Sequence, residues 1–251
     1  MENLLVWKAY IDDSLETDKV LILAGYIACA KEWDAFSVKW KTRLGELRLA
    51  EFKMVQRVHS YPEMNGYLYK AIEEHVHCLL CIAAPIEPLK SACKTVGLPY
   101  SNDLPYHMAS KALTDTLAQM YRDPVDFTFD EQDQISKTVC ETWPTYLKNA
   151  DPFIRENMGQ LPMFGKSVML MPLQAADMAA YWYRRRWIEE GSFENPSLPF
   201  PWSCKVDYPR HLLVLSEKDY VGQLLDAWLA FRRMTFNVTV SFTYKGRDIF
   251  G

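Results

Sequence analysis

The strongest constraint on the fold is a pair of apolar runs near the N-terminus with only a few residues between them. Leu4 to Asp12 is rich in β-formers and reads as a strand. Val20 to Ile27 is apolar throughout and reads as a strand buried on both faces. A link this short leaves no room for a crossover, so the two pair antiparallel. Asp12, Asp13 and Ser14 supply turn chemistry at the end of the first run.

A sheet begun this way needs helices on its apolar faces, and the rest of the chain offers them. Trp33, Phe36, Trp40 and Leu44 recur at helical spacing, which predicts a helix over Lys31 to Leu47. Further helices are expected over Pro62 to His75, around Met108 to Met120, over Gln134 to Leu147, over Leu173 to Ile188 with Pro172 in the first turn, and over Tyr220 to Arg233. Strands are expected over His75 to Ala84, Val125 to Asp130 and Ser167 to Met171. Gly191 to Pro209 reads as a surface wrap, and Thr235 to Tyr244 as an edge strand that leaves self-association open. The expected class is α/β, one domain spanning residues 1–251 with a C-terminal extension from about Gly191.

Composition narrows the function classes. With 49% hydrophobic and 14% aromatic residues, the chain carries too much apolar surface to stay disordered. Its net charge of -4 argues against gripping nucleic acid through bulk charge, but not against a local site where ions offset acids. The most apolar run, Val20 to Ala30, falls short of the roughly 20 residues that a membrane span needs. No basic stretch precedes an apolar one at the start, so no export signal is expected. The six scattered cysteines read as reduced thiols in a cytoplasmic protein. No Gly-rich phosphate loop or nucleophile elbow occurs.

Three acids share one setting. Asp12 ends the first strand, Asp130 ends a later one, and Asp177 lies near the start of a late helix. Strand ends on one edge of a sheet are neighbours, and a helix beside them can add a carboxylate. Such a cluster is tolerable when cations neutralise it, and oxygen-only donors suit Mg²⁺ or Mn²⁺. The alternative is that these acids are turn formers and caps. Asp13 and Glu131 are adjacent extra acids that on a strand would face the other side but in a turn could still reach the site.

The opening Ala9-Tyr-Ile-Asp-Asp-Ser14, the run Leu23-Ala-Gly-Tyr-Ile27, the element Phe52-Lys-Met54, Phe129-Asp-Glu131, and Pro172-Leu-Gln-Ala-Ala-Asp-Met-Ala-Ala-Tyr181 followed by Arg184-Arg185 occur in that order. Together they resemble the bacterial family catalogued as domain of unknown function 3800. The resemblance implies a ribonuclease H-like mixed sheet flanked by helices and a metal-dependent nuclease site. It implies that Asp12 bridges two ions, that Asp130 binds one, and that Asp177 binds from the helix. Gln174, one turn before Asp177, would orient a ligand or the attacking water. Lys53 would either contact the scissile phosphate or pair with an acid. The chain departs from the pattern at Asp13 (usually Glu), at Leu15 (usually Gly) and at Gln56, where many members have an acid. Glu51, Asp13 or Glu131 would then complete the metal shell.

Two other candidates compete. His75, His77, Cys78 and Cys81 are zinc-ligand types, but zinc needs four ligands and no second pair follows. Arg184 to Arg186 either balance a helix C-terminus or reach a nucleic-acid backbone. The expected activity is hydrolysis of phosphodiester bonds in nucleic acid. A non-catalytic ribonuclease H-like module binding a protein or nucleic-acid partner is the alternative.

Overall fold

A computed structural model describes residues 6–57, 62–121, 123–131, 133–191, 209–236, 243–244 and 247–248. Two long strands open the fold, β1 (Trp7–Glu16) and β2 (Val20–Cys29), paired antiparallel along their whole length. The turn lies at 17–19, later than expected. Lys19 N–H bonds to the Glu16 carbonyl at 3.0 Å, and Asp18 takes the left-handed conformation that short polar residues tolerate. Asp12, Asp13 and Ser14 therefore lie inside β1 rather than in its closing turn, because β2 keeps pairing with them as far as Glu16. Gly25 admits a close approach by β1: a Cβ there would sit 1.9 Å from the Tyr10 carbonyl oxygen.

β3 (Cys78–Pro85) continues the antiparallel meander on the outer side of β2. β4 (Val125–Asp130) joins β1 in parallel, β5 (Met163–Gly165) joins β4 in parallel, and β6 (Arg210–Val214) joins β3 in parallel. The order across the sheet is β5-β4-β1-β2-β3-β6. It is the mixed, helix-flanked sheet that the family resemblance implies.

Helices cover both faces. Their order is α1 (Ala30–Glu46), α2 (Met54–Arg57), α3 (Pro62–His75), α4 (Ile86–Val96), α5 (Leu104–Met120), α6 (Asp133–Asn149), α7 (Pro152–Asn157), α8 (Met171–Glu190) and α9 (Glu217–Phe236). Alternation along the strands sorts the core into two layers. Ala9, Ile11, Leu21, Leu23, Phe127 and Phe129 pack towards α4, α5 and α9. Val20, Ile22, Ala24 and Tyr26 pack towards α1, α3 and α8. Phe36 and Trp40 are fully buried in that second layer, and burying a side chain such as Phe36 contributes about 1.5–3 kcal/mol.

Several boundaries differ from the sequence reading. His75 ends α3 and His77 lies in a bend, so the third strand starts only at Cys78. Ser167 to Met169 is a turn rather than a strand, with the N–H groups of Met169 and Leu170 both bonded to the Lys166 carbonyl. The strand in that region is the earlier β5, and Met171 begins a helix in which Pro172 sits in the first turn. Of the expected surface wrap, Gly191 to Pro209, residues 192–208 lie outside the described residues. The expected edge strand begins inside α9, which runs to Phe236. Thr243–Tyr244 pairs instead with Arg247–Asp248 in a separate two-stranded sheet.

Candidate functional site

Asp12 and Asp130 come together through register. The parallel ladder of β1 and β4 ends at the pair Ile11 and Phe129. The next residue on each strand is an aspartate. Both are even-numbered, so both lie on the face that carries α8. α8 runs across β1 and β2 on that face and brings Asp177 to the same place. The three acids thus come from distant parts of the chain and bear on one another electrostatically.

Asp12 is the most enclosed of them, at 6% exposure. Burial pushes its carboxyl well above the ordinary range, and the charges of Asp177, Asp130 and Asp13 push it further against the opposing pull of Lys53. Its Oδ1 accepts the N–H of Asp13 at 2.8 Å. Asp177 is raised too, first by burial. The Met54 N–H and Lys53 act against that, while Asp130 and Glu51 add to it.

Backbone donors hold the outer two acids. The Met54 N–H, at the start of α2, donates to Asp177 Oδ2 at 2.6 Å. The Ser167 N–H donates to Asp130 Oδ1 at 3.2 Å. Lys53 Nζ stands 3.6 Å from Asp130 Oδ2. Burial opposes the Lys53 charge, but Asp12, Asp130, Asp177 and Glu51 more than offset it and leave the pKa raised.

The remaining expected site residues fall into two groups. Glu51 is half-buried and acts on both Lys53 and Asp177. Asp13 lies on the opposite face of β1 and, after burial, is the first of the acids that push the Tyr106 hydroxyl up. Glu131 is exposed, 3.5 Å from Lys166 Nζ, with its N–H bonded to the Gly165 carbonyl. Gln174 is fully buried. Its Oε1 accepts from Trp40 Nε1 at 3.0 Å and from the Phe52 N–H at 2.9 Å, and its Nε2 donates to the Ser167 carbonyl at 2.9 Å.

Sequence reasoning did not identify Met54, Ser167, Trp40 or Tyr106. Two of them act through backbone groups that every residue type possesses, so no side-chain signal marks them.

The competing candidates are otherwise engaged. His75 Nδ1 is 3.3 Å from Glu32 Oε2, and His77 packs against the rings of Trp7 and Tyr121. Cys78 Sγ lies 3.4 Å from the Tyr121 hydroxyl. Arg184 binds Ser14 Oγ at 2.9 Å and Glu16 Oε2 at 2.6 Å. Arg185 pairs with Glu189, and Arg186 with Glu190.

Among the described residues, no three His, Cys, Asp or Glu side chains are arranged so as to hold a metal ion as they stand. The donor set nevertheless has the chemistry of a hard-cation site, with carboxylate oxygens only and an excess of negative charge around Asp12.

No family model matches the chain, and no curated protein matches it. Among solved structures it is similar to a mutant of Bst-RNase HIII, at 16% identity and a TM-score of 0.38 over 74% of this chain and 54% of that one. It is similar to RNase HII in the PCNA:RNase HII complex from Archaeoglobus fulgidus, at 14% identity and a TM-score of 0.38 over 94% and 97% of the two chains. Bst-RNase HIII in complex with Mn²⁺ gives 16% identity and a TM-score of 0.36 over 72% and 53%. The chain thus spans about half the length of the two RNase HIII chains. No helix among the described residues is long and apolar enough to cross a membrane.

Proposed function

We propose that this chain is a divalent-metal-dependent nuclease that hydrolyses phosphodiester bonds of nucleic acid. The observation that carries the reading is the placement of Asp12, buried at the end of the β1–β4 ladder, with Asp130, Asp177 and Lys53 all acting on its carboxyl. The resemblance of its ordered motifs to the domain of unknown function 3800 family supports it. Asp12, Asp130 and Asp177 would hold Mg²⁺ or Mn²⁺, with Glu51 the best placed of the further acids. When bound, the ion supplies Lewis acidity, which polarises a phosphoryl oxygen and acidifies water.

The chain's own groups do the positioning. The Met54 and Ser167 N–H groups each fix one oxygen of Asp177 and Asp130 and so orient the other. Lys53 brings a point charge to the edge of the site, where it can meet a substrate phosphate. The enclosure of Asp12 excludes water from the centre, which strengthens every charge interaction there. Asp177→Asn is expected to abolish Mn²⁺-dependent cleavage of labelled DNA, RNA and hybrid substrates while the protein still melts cooperatively. A variant that cuts at full rate would remove Asp177 from the mechanism.

One observation favours a second reading, a ribonuclease H-like module that binds a partner without catalysis. The acids already spend oxygens on Met54, Ser167 and Lys53, and as they stand they do not close around an ion. Calorimetry with Mn²⁺ separates the two. A nuclease binds the ion and loses it in Asp12→Asn, whereas a binding module takes up none.

A further inference from the structure

We infer that Gln174 is a positioning residue that holds the acid site together from beneath, without touching substrate or ion. The inference rests on the reading of Asp12, Asp130 and Asp177 as an ion site, and of the two expected roles for this amide, orienting a ligand or the attacking water, it keeps the first. Gln174 is 0% exposed. A side-chain amide offers one acceptor oxygen and two N–H donors. Here the oxygen accepts twice, from Trp40 and Phe52, and the nitrogen donates to the Ser167 carbonyl, with Met171 Sδ 3.6 Å away. Its partners are thus protein groups on every side.

What those partners carry gives the amide its purpose. The Ser167 peptide offers its carbonyl to Gln174 and its N–H to Asp130. Phe52, bonded to Gln174 through its N–H, precedes Lys53, which pairs with Asp130. Met54 follows, and its N–H holds Asp177. Asp177 lies one turn beyond Gln174 on α8. A closed circuit results: Gln174 to Ser167, to Asp130, to Lys53, and back through Phe52. The 51–54 segment and the turn after β5 lie outside any strand ladder, and the buried amide binds both.

A group that orients ligands without contacting the ion typically changes ion affinity about 10- to 100-fold when lost. Mn²⁺ affinity, measured by calorimetry on the full chain alongside thermal melts, therefore tests the inference. Gln174→Met matches the length of the side chain and removes its hydrogen bonds. It is expected to melt cooperatively and to bind Mn²⁺ about 10-fold or more weakly. Trp40→Phe removes one donor from the same amide and disturbs the same core, but leaves Phe52 and Ser167 clamped. It is expected to lower the melting temperature with ion affinity held within about two-fold, well short of the loss expected for the clamp itself.

Should Gln174→Met not fold, Gln174→Asn takes its place. It keeps the amide but is one methylene too short to span Phe52 and Ser167 together, and the same loss of affinity is expected. Wild-type affinity in the Gln174 variant overturns the inference. So does an equal loss in Trp40→Phe, which would mean that affinity merely follows stability. Wild-type protein and Asp12→Asn binding Mn²⁺ alike is a different failure, because it removes the ion site itself.

Discussion

Two regions hold side chains of the kinds that bind metals, and they are built in opposite ways. Asp12, Asp130 and Asp177 are far apart in sequence and converge on one face of the sheet. His75, His77, Cys78 and Cys81 are nearly contiguous, yet the fold disperses them. His75 ends a helix beside Glu32, His77 packs at an angle against the rings of Trp7 and Tyr121, and the two thiols enter a buried strand. The difference lies in what opposes each charge. In the acid region burial and like charges act together on Asp12, so a cation would relieve the cost. In the cysteine region burial alone keeps both thiols protonated, and no neighbour asks for an ion.

Asp12→Asn should break the comparison most sharply. It removes the centre of the acid group, and Mn²⁺-dependent cleavage is expected to fall about 1,000-fold or more, because an ion contributes several kcal/mol of charge stabilisation. Melts in a chelator should show the opposite sign for stability. A carboxyl held well above its ordinary range is destabilised by its charge near neutral pH, so the uncharged isostere should melt higher than wild type. A lower melting temperature together with full cleavage would mean that Asp12 is structural.

The thiol region has its own signature at high pH. Burial pushes Cys78 up to about 11 from 9.0, against the lowering effect of the Tyr121 hydroxyl. The folded state then keeps a proton that the unfolded chain gives up. The stabilisation is complete below about pH 9 and is lost as the pH rises towards 11. It amounts to a loss on the order of 2 kcal/mol, measurable by denaturant titration at several pH values. Alkylation at pH 8 should leave Cys78 and Cys81 unmodified in the folded protein, as peptide mass spectrometry would show. Rapid labelling would mean that the thiols are more open than their packing implies.

Much of this contrast can be read in the sequence, and the exceptions have physical causes. Strand-end positions predict that Asp12 and Asp130 are neighbours, and Pro172 in a first turn predicts the helix that carries Asp177. Asp12 has its strand-end setting for another reason than expected: β4 stops there while β1 and β2 continue to Glu16. α4 went unread because Pro88 stands in its first turn, where the missing N–H costs a helix nothing. β6 is short and half-exposed, and it finds its partner only through β3, far away in the chain. The hydrogen-bond partners of Gln174 were out of reach, because they depend on tertiary contacts with Trp40, Phe52 and Ser167.

Lys53 sharpens the comparison by a smaller amount. Its ammonium already offsets part of the acid charge. A pair at this separation in a partly hydrated site is worth about 1–4 kcal/mol before screening. Lys53→Met is therefore expected to tighten Mn²⁺ binding about 5-fold or more in calorimetry. If Lys53 also meets the substrate phosphate, the same variant should cleave more slowly despite binding the ion better. Weaker ion binding would show that Lys53 holds the acids in place rather than competing for them.

The smallest effect belongs to His75, and its smallness is the point. The His75–Glu32 contact is partly exposed at 3.3 Å and joins the last turn of α3 to the first turn of α1. Pairs of this kind are worth about 0–1 kcal/mol, so His75→Gln should shift stability by no more than that. Binding of Mn²⁺ should be unchanged and Zn²⁺ should not raise the melting temperature of either form. A histidine that helped to hold zinc would behave otherwise. The ion would stabilise wild type by about 2.7 kcal/mol at 100 times its dissociation constant, and His75→Gln would erase that gain. The two outcomes differ in size and in which ion reveals them. A zinc-dependent shift at His75 would mean that the histidine and cysteine region holds a cation of its own.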